Sequence, residues 1–446
     1  VKPSLACVER RVPFDRDVIA VAAALAAEST DAYVLYENRE EVCWAEGEAA
    51  AVEVDATGVW LECGGERSPL DTDLRPLAAA GQALAEMGGA DWRAYGWATF
   101  ELATSCSDAG KSPGPLARLF LPRAEIRFGD GVAVLRAQDE KALDAMVLRL
   151  AGAESRPAIS EGRIEADVDF HGADAYRQAV AEAVREIRQG ALDKVILSRE
   201  VPVPGEIDLP ATYVTGRRNN DPARSFLLRL GEWEAAGFSP EIVARVTAEG
   251  EVNAQPLAGT RALVGEPAVD DAARKELLRD AKEVFEHAIS VRLAAEELAE
   301  VCEDGTVRVA EFMSVRERGS VQHLASYLVG SLREGATSWD AFATLFPAIT
   351  ASGIPKKEAC ERIRLSEKTS RGLYSGAVIM VDGDGTLDAA LVLRSVYRRA
   401  GRTWLRAGAG VVAQSDPERE LEETREKLRS VGRFLVPAVE PVHSAS

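Results

Sequence analysis

The segment from Trp404 to Leu428, WLRAGAGVVAQSDPERELEETREKL, holds the residue types best suited to chemistry. A short apolar strand interrupted by Gly408 and Gly410 runs through a turn into a strongly acidic helix. At 3.6 residues per turn, Glu420, Glu423 and Lys427 share one face, with Leu421 and Leu428 on a neighbouring stripe. Ser415, with Glu418 three positions on, fits a capping box, and Pro417 suits a first helical turn. Two carboxylates one turn apart, with an ammonium beyond them, suit a hard cation and the anionic ligand it holds. On its own, such a helix reads first as a solvated acidic face.

A second acidic helix changes that reading. Between Asp271 and Val301 the residues Val284, Ala288, Val291, Ala295 and Leu298 recur with a helical period. Beside that stripe Glu283 and Glu286 repeat the i, i+3 spacing, and His287 follows. Four carboxylates on two helices can share one oxygen-liganded divalent ion. Mg²⁺ is the natural candidate, because it takes one or two carboxylates and keeps places for water and substrate. No His or Cys motif has zinc spacing.

The elements that must position these groups come from a chain of 446 residues, 46% apolar, enough for a substantial core. The formal charge of −19, without a basic tract, argues against nucleic acid and anionic membranes as partners. Six scattered cysteines with no C-x-x-C pair suit a reducing compartment, so a cytoplasmic location is expected. The apolar run Val18–Ala27 is too short for a membrane span and reads as an Ala-rich packing helix.

Up to about residue 160 strand-like runs (Ala32–Tyr36, Val59–Leu61, Tyr95–Phe100, Leu119–Leu121, Val132–Leu135) alternate with helical ones near Leu77–Met87 and Lys141–Leu150. The polar segment Ala153–Arg163 reads as a linker or surface loop. The helix AYRQAVAEAVREIRQG then ends at Gly190, and DKVILSREV follows as a strand with Lys194, Ile196 and Ser198 on one face. A lysine sharing a face with isoleucine is either a snorkelling strand residue or a partly buried base. Glu241 follows Pro240 at a strand edge, where a side chain can be aimed into a cleft. Gly259 permits close backbone approach beside Thr260 and Arg261. His323 lies among apolar neighbours, and Thr350 in a Gly/Pro-punctuated turn. From Arg371 onward three successive strands are expected, with Tyr374 and Arg394 on the first two. Gly408, Gly410 and Ala413 match G-x-G-x-x-A, but no crossover unit follows, so a dinucleotide site is rejected.

Together DKVILSR, GFSPE, PLAGTRA, KEVFEHAISVR, VRERGSVQHL, FPAITASGIPK, RGLYSGAV and LRAGAG with PERELEETREKL resemble the chorismate-utilising enzymes. That family comprises anthranilate, isochorismate, aminodeoxychorismate and salicylate synthases. The resemblance covers roughly residues 165–435. VRERGSVQHL, TASGIPK and RGLYSGAV are similar to the salicylate synthases of siderophore pathways. It implies one large α/β (α+β) domain, two packed β-sheets with helices outside. Residues 1–160 would belong to it, 161–437 would form the catalytic region, and 438–446 a disordered tail.

The implied activity is Mg²⁺-dependent conversion of chorismate through isochorismate to salicylate and pyruvate. The alternatives are an isochorismate synthase that stops after the first step, and a silent chorismate-binding protein. By the resemblance Lys194 activates water, where the nitrogen-inserting branch has glutamine, and Glu241 protonates the departing hydroxyl. Glu286 and Glu423 hold Mg²⁺ directly, and Glu283 and Glu420 through water. Tyr374 and Arg394 grip the enolpyruvyl carboxylate. The amides at Gly408 and Gly410 with Lys427 cradle the ring carboxylate, and Gly259, Thr260, His323 and Thr350 line the site. No glutaminase subunit is expected, and the chain would act as a monomer.

Overall fold

The computed structural model describes residues 7–89, 91–103, 114–153, 164–318 and 321–438. Every β-ladder among them is antiparallel. Two long strands, Val42–Asp55 and Ala117–Gly129, pair along most of their length and belong to two sheets at once. Their ladder is interrupted between Glu48 and Ala50, next to Gly47, whose φ of 69° favours glycine. On one side of this bend they continue through Tyr33–Glu37, Arg224–Leu230, Trp233–Ser239, Ser395–Arg399 and Arg402–Val411 to Lys194–Pro202. On the other they continue through Arg93–Ala98, Ala377–Asp382, Leu387–Leu391, Ile242–Val246 and Glu251–Ala254 to Val321–Ser331.

The two sheets pack face to face. Their shared core contains Tyr36, Phe226 and Tyr397 from one sheet with Tyr95, Val378 and Ala390 from the other. Helices cover the outer faces. Val18–Glu28, Leu209–Arg218 and the end of Pro417–Gly432 pack on the first sheet, and Pro76–Gly88, Ala281–Val301 and Ser338–Leu345 on the second. This is the two-sheet architecture expected from the motifs.

Three local expectations need correction. The run from Asp271 is two helices, Pro267–Leu277 and Ala281–Val301, because Asp280 caps the second through the amides of Lys282 and Glu283. Asp416, not Ser415, caps the helix Pro417–Gly432, accepting from the amides of Glu418 and Arg419. Ser415 Oγ accepts instead from the Val412 amide at 3.0 Å. The expected three strands after Arg371 are four, broken around Arg394, so Tyr374 lies in the turn before the first and Arg394 in the break. The expected linker 153–163 and tail 438–446 fall, apart from Ala153 and Ala438, outside the described residues.

Candidate active site

Two crossings between the sheets create the cleft. Gly237 pairs with Ser395 in the first sheet, whereas Ile242 pairs with Ala390 in the second. Pro240–Glu241 and Val392–Arg394 therefore bridge the sheets side by side. Arg394 has φ 49°, a left-handed conformation uncommon for a residue with a side chain, and it is held there inside a buried cluster. The cavity at these crossings is lined by Glu241, Thr260, His323, Thr350, Tyr374 and Arg394. Gly259, Gly408, Gly410, Glu286, Glu423 and Lys427 complete the expected set on its wall. Lys194, Glu283 and Glu420 are buried but lie outside the lining, one layer behind.

Glu241 is 3% exposed, with Oε2 accepting from the Leu257 amide at 2.9 Å and Oε1 from Thr350 Oγ1 at 2.9 Å. Burial disfavours its charged form more than those hydrogen bonds and Lys194 favour it, and pushes its pKa up to about 7. A carboxyl that keeps its proton near neutrality can donate it. Lys194 sits at the start of its strand, where Ile196, two residues on, reaches the cavity wall. Its Nζ lies 3.0 Å from Glu286 Oε1 and donates to Ser290 Oγ at 3.0 Å. Lys194 is therefore no snorkelling lysine: it is fully buried and tied to the back of Glu286.

Arg394 donates to the Arg318 carbonyl at 3.1 Å and to His323 Nε2. An arginine donor on Nε2 assigns the His323 proton to Nδ1, which faces Thr260 Oγ1 at 3.1 Å. Burial and then Arg394 depress the His323 pKa well below its ordinary value, so the ring is a neutral strut that aims the guanidinium. Burial and the nearby Arg318 lower Arg394 to about 10, which leaves it charged at neutral pH and short of an anionic partner. Burial raises the Tyr374 pKa, which keeps its phenol a donor, and the guanidinium carbons of Arg371 and Arg406 lie 5.5 and 5.6 Å from its ring centre.

Gly408 and Gly410 are glycines for reasons of space. A Cβ at 408 would stand 2.4 Å from the Leu197 carbonyl and 2.9 Å from the Tyr374 hydroxyl. At 410 it would stand 2.1 Å from Glu286 Oε1. Lys427 Nζ donates to the Gly408 carbonyl at 2.9 Å and to Glu423 Oε1 at 2.6 Å.

The acidic face of Ala281–Val301 is buried more deeply than the start of its apolar stripe. Glu283 and Glu286 are buried while Val284 and Ala288 are only partly so. Among the described residues, no three His, Cys, Asp or Glu side chains form a ready-made metal cage. Protein cations stand among the carboxylates instead. Lys282 Nζ is 3.1 Å from Glu286, 3.3 Å from Glu420 and 3.6 Å from Glu283. Arg261 and Arg419 reach Glu283 at 3.3 and 3.0 Å.

Yet both oxygens of Glu420 and Oε2 of Glu283 are buried without an aligned hydrogen bond. Burial raises the pKa of Glu420 and of Glu283, whereas Lys194 and Lys282 outweigh burial at Glu286 and hold it down to about 2. Orphaned carboxylate oxygens beside an ionised carboxylate are the donor set of an oxygen-preferring divalent ion. The residues present fit Mg²⁺.

Two contributors escaped the sequence reading. Lys282 directly precedes Glu283 and was hidden by its place at the start of an exposed-looking turn. Arg406 lines the cavity and ties it to a buried network, with Nε donating to Ser198 Oγ at 2.9 Å and Nη2 to Glu367 at 2.6 Å. Arg371 reinforces the same Glu367 at 2.7 Å.

A model of the family described as chorismate binding enzyme matches residues 31–433. A salicylate synthase from Mycolicibacterium paratuberculosis is 42% identical over 419 residues, covering 93% of this chain and 92% of that protein. An anthranilate synthase component 1 from Spirochaeta aurantia is 32% identical over 76% of this chain and 75% of its own length. Two solved structures share the fold. The anthranilate synthase component I of Streptococcus pneumoniae has a TM-score of 0.75 at 23% identity, over 88% of this chain and 92% of that one. The menaquinone-specific isochorismate synthase of Escherichia coli has a TM-score of 0.73 at 22% identity, over 97% and 95%.

Proposed function

Because the chain belongs to the chorismate binding enzymes, we propose that it converts chorismate through isochorismate to salicylate and pyruvate with Mg²⁺, supplying salicylate to natural-product assembly such as that of siderophores. The observation that carries the reading is a carboxyl that burial keeps protonated, Glu241, in the cleft wall, with a buried lysine, Lys194, one layer behind that wall. The likeness to a salicylate synthase over nearly the whole chain supports the second step as well as the first.

In the first step the hydroxyl at C4 leaves and water adds at C2, so substrate and product are isomers. Glu241, held by Thr350 and the Leu257 amide, gives its proton to the departing oxygen. Lys194, reacting as the neutral amine, takes a proton from the attacking water, and the ammonium so formed is the one paired with Glu286 at 3.0 Å. Tyr374 and Arg394 supply neutral and charged donors for the enolpyruvyl carboxylate. The amides of Gly408 and Gly410, with Lys427, receive the ring carboxylate. Mg²⁺ held by Glu286 and Glu423, with Glu283 and Glu420 behind, would polarise and orient that carboxylate.

In the second step the C2 hydrogen moves to the side-chain methylene as the ether bond at C3 breaks, releasing pyruvate and leaving the aromatic ring. This step needs a compressed substrate geometry and no further acid or base. Lys194→Ala therefore still releases pyruvate from supplied isochorismate, whereas Arg394→Ala loses salicylate formation from either substrate. Separate assays on the two substrates test this. Equal loss of both activities in Lys194→Ala would contradict the division of labour.

A further inference from the structure

The position of the Lys282 ammonium points to a role beyond neutralising a helix face. We propose that Lys282 is a tethered counter-ion standing where the divalent ion binds, so that metal loading is an exchange in which the ammonium must withdraw from the carboxylates. This rests on the reading of Glu283, Glu286, Glu420 and Glu423 as the metal site.

Three observations carry it. Lys282 Nζ lies within 3.6 Å of carboxylates on both acidic helices, Glu283 and Glu286 on its own and Glu420 on the other. No other described lysine or arginine is paired with carboxylates of this set on both helices: Arg419, itself on the second helix and half exposed, pairs within the set only with Glu283, Lys194 only with Glu286 and Lys427 only with Glu423. Second, the residue is 8% exposed, so its charge is withdrawn from water and answered only by those glutamates. Third, the lysine does not satisfy what it sits among: both Glu420 oxygens lack an aligned hydrogen bond although Nζ is 3.3 Å from one of them. A single ammonium has three donors in a fixed tetrahedral fan and cannot reach every oxygen that a six-coordinate ion with bound water reaches.

The charge balance gives the exchange its consequence. Lys194, Lys282 and Lys427 already face the four carboxylates. With Lys282 in place, adding a divalent ion alone leaves excess positive charge in a buried site, so the ammonium must withdraw, whereas an ion arriving with a dianionic substrate adds no net charge. Lys282 thus keeps the metal-free carboxylates together and sets metal affinity low until substrate arrives. A neutral side chain at 282 removes the competitor and strengthens the site for metal alone.

The test uses the full chain, with Mg²⁺ alone as the probe and no substrate. Binding is followed by calorimetry, and thermal unfolding is compared in chelator and in Mg²⁺, for wild type, Lys282→Met and Lys282→Gln. Both variants are expected to bind Mg²⁺ at least about tenfold tighter than wild type. Both should also unfold at lower temperature in chelator and regain more stability from Mg²⁺ than wild type does. A variant that folds only when Mg²⁺ is supplied supports the exchange equally, because it shows the ion replacing the lysine. Equal or weaker Mg²⁺ binding in both variants, with wild type binding measurably, overturns the counter-ion role and leaves the metal site standing. If no protein responds to Mg²⁺ at millimolar concentration, with or without chorismate, the metal site itself is overturned.

Discussion

Lys194→Ala and Glu241→Gln each lower isochorismate formation from chorismate by about 10²–10⁴-fold, the usual worth of one positioned acid or base. For Glu241 the expectation rests on its surroundings. Burial pushes the carboxyl up to about 7, and the amide and hydroxyl that donate to it hold it no lower. A group that must give a proton works while protonated, so turnover of the wild type should fall as pH rises through about 7. The sign for stability runs the same way. A carboxyl whose folded pKa lies above its unfolded value favours the folded protein below the unfolded pKa and loses that contribution as pH rises through the folded one. Glu241→Gln should therefore match wild type in stability near pH 4 and exceed it above about pH 7, by up to roughly 3 kcal/mol. Thermal unfolding against pH reads this directly. For Lys194 alanine removes the ammonium that faces Glu286 at 3.0 Å, so a folded-state control by circular dichroism accompanies the assay. Normal turnover of chorismate by Lys194→Ala would remove it as the base.

Chelation is expected to abolish turnover, and Mg²⁺ to restore it. Chelated protein should nevertheless stay folded, because Lys282, Lys194 and Lys427 neutralise the carboxylates in the absence of the ion. The four glutamates should differ in weight. Glu286 and Glu423 line the cavity, whereas Glu283 lies behind it and is already held by Arg261 and Arg419. Glu286→Gln and Glu423→Gln should thus cost more activity than Glu283→Gln, whose loss should stay within the roughly 10–100-fold typical of outer-layer residues. Undiminished activity in metal-free buffer would remove the metal from the account.

Much of this arrangement is legible from residue spacing, and the exceptions have physical causes. The i, i+3 glutamates on two helices place their carboxylates on one face whatever the packing, and burial of Glu283, Glu286 and Glu420 follows from that face turning inward. Lys194 announces itself by sharing a strand face with Ile196, but spacing along one strand cannot show that Glu286 waits 3.0 Å from its ammonium. Arg394 looked like a strand residue because the apolar pattern runs through it. Only the partner strands, one in each sheet, reveal that the chain crosses there and turns through a positive φ. The break before Ala281 was missed for a similar reason. Helical periodicity survives a short interruption, whereas the Asp280 cap that makes it acts through two backbone amides. Lys282 could not be placed from periodicity, since a lysine in a first helical turn beside glutamates is ordinarily solvated.

The central claim is tested most directly by supplying wild-type protein with chorismate and Mg²⁺ and following both products at once. Salicylate is read by its fluorescence and pyruvate by coupled reduction to lactate. The account predicts that chorismate disappears as salicylate and pyruvate appear in equal amounts, with isochorismate present only transiently. Isochorismate that accumulates without pyruvate, or chorismate that is bound and left unchanged, would contradict it.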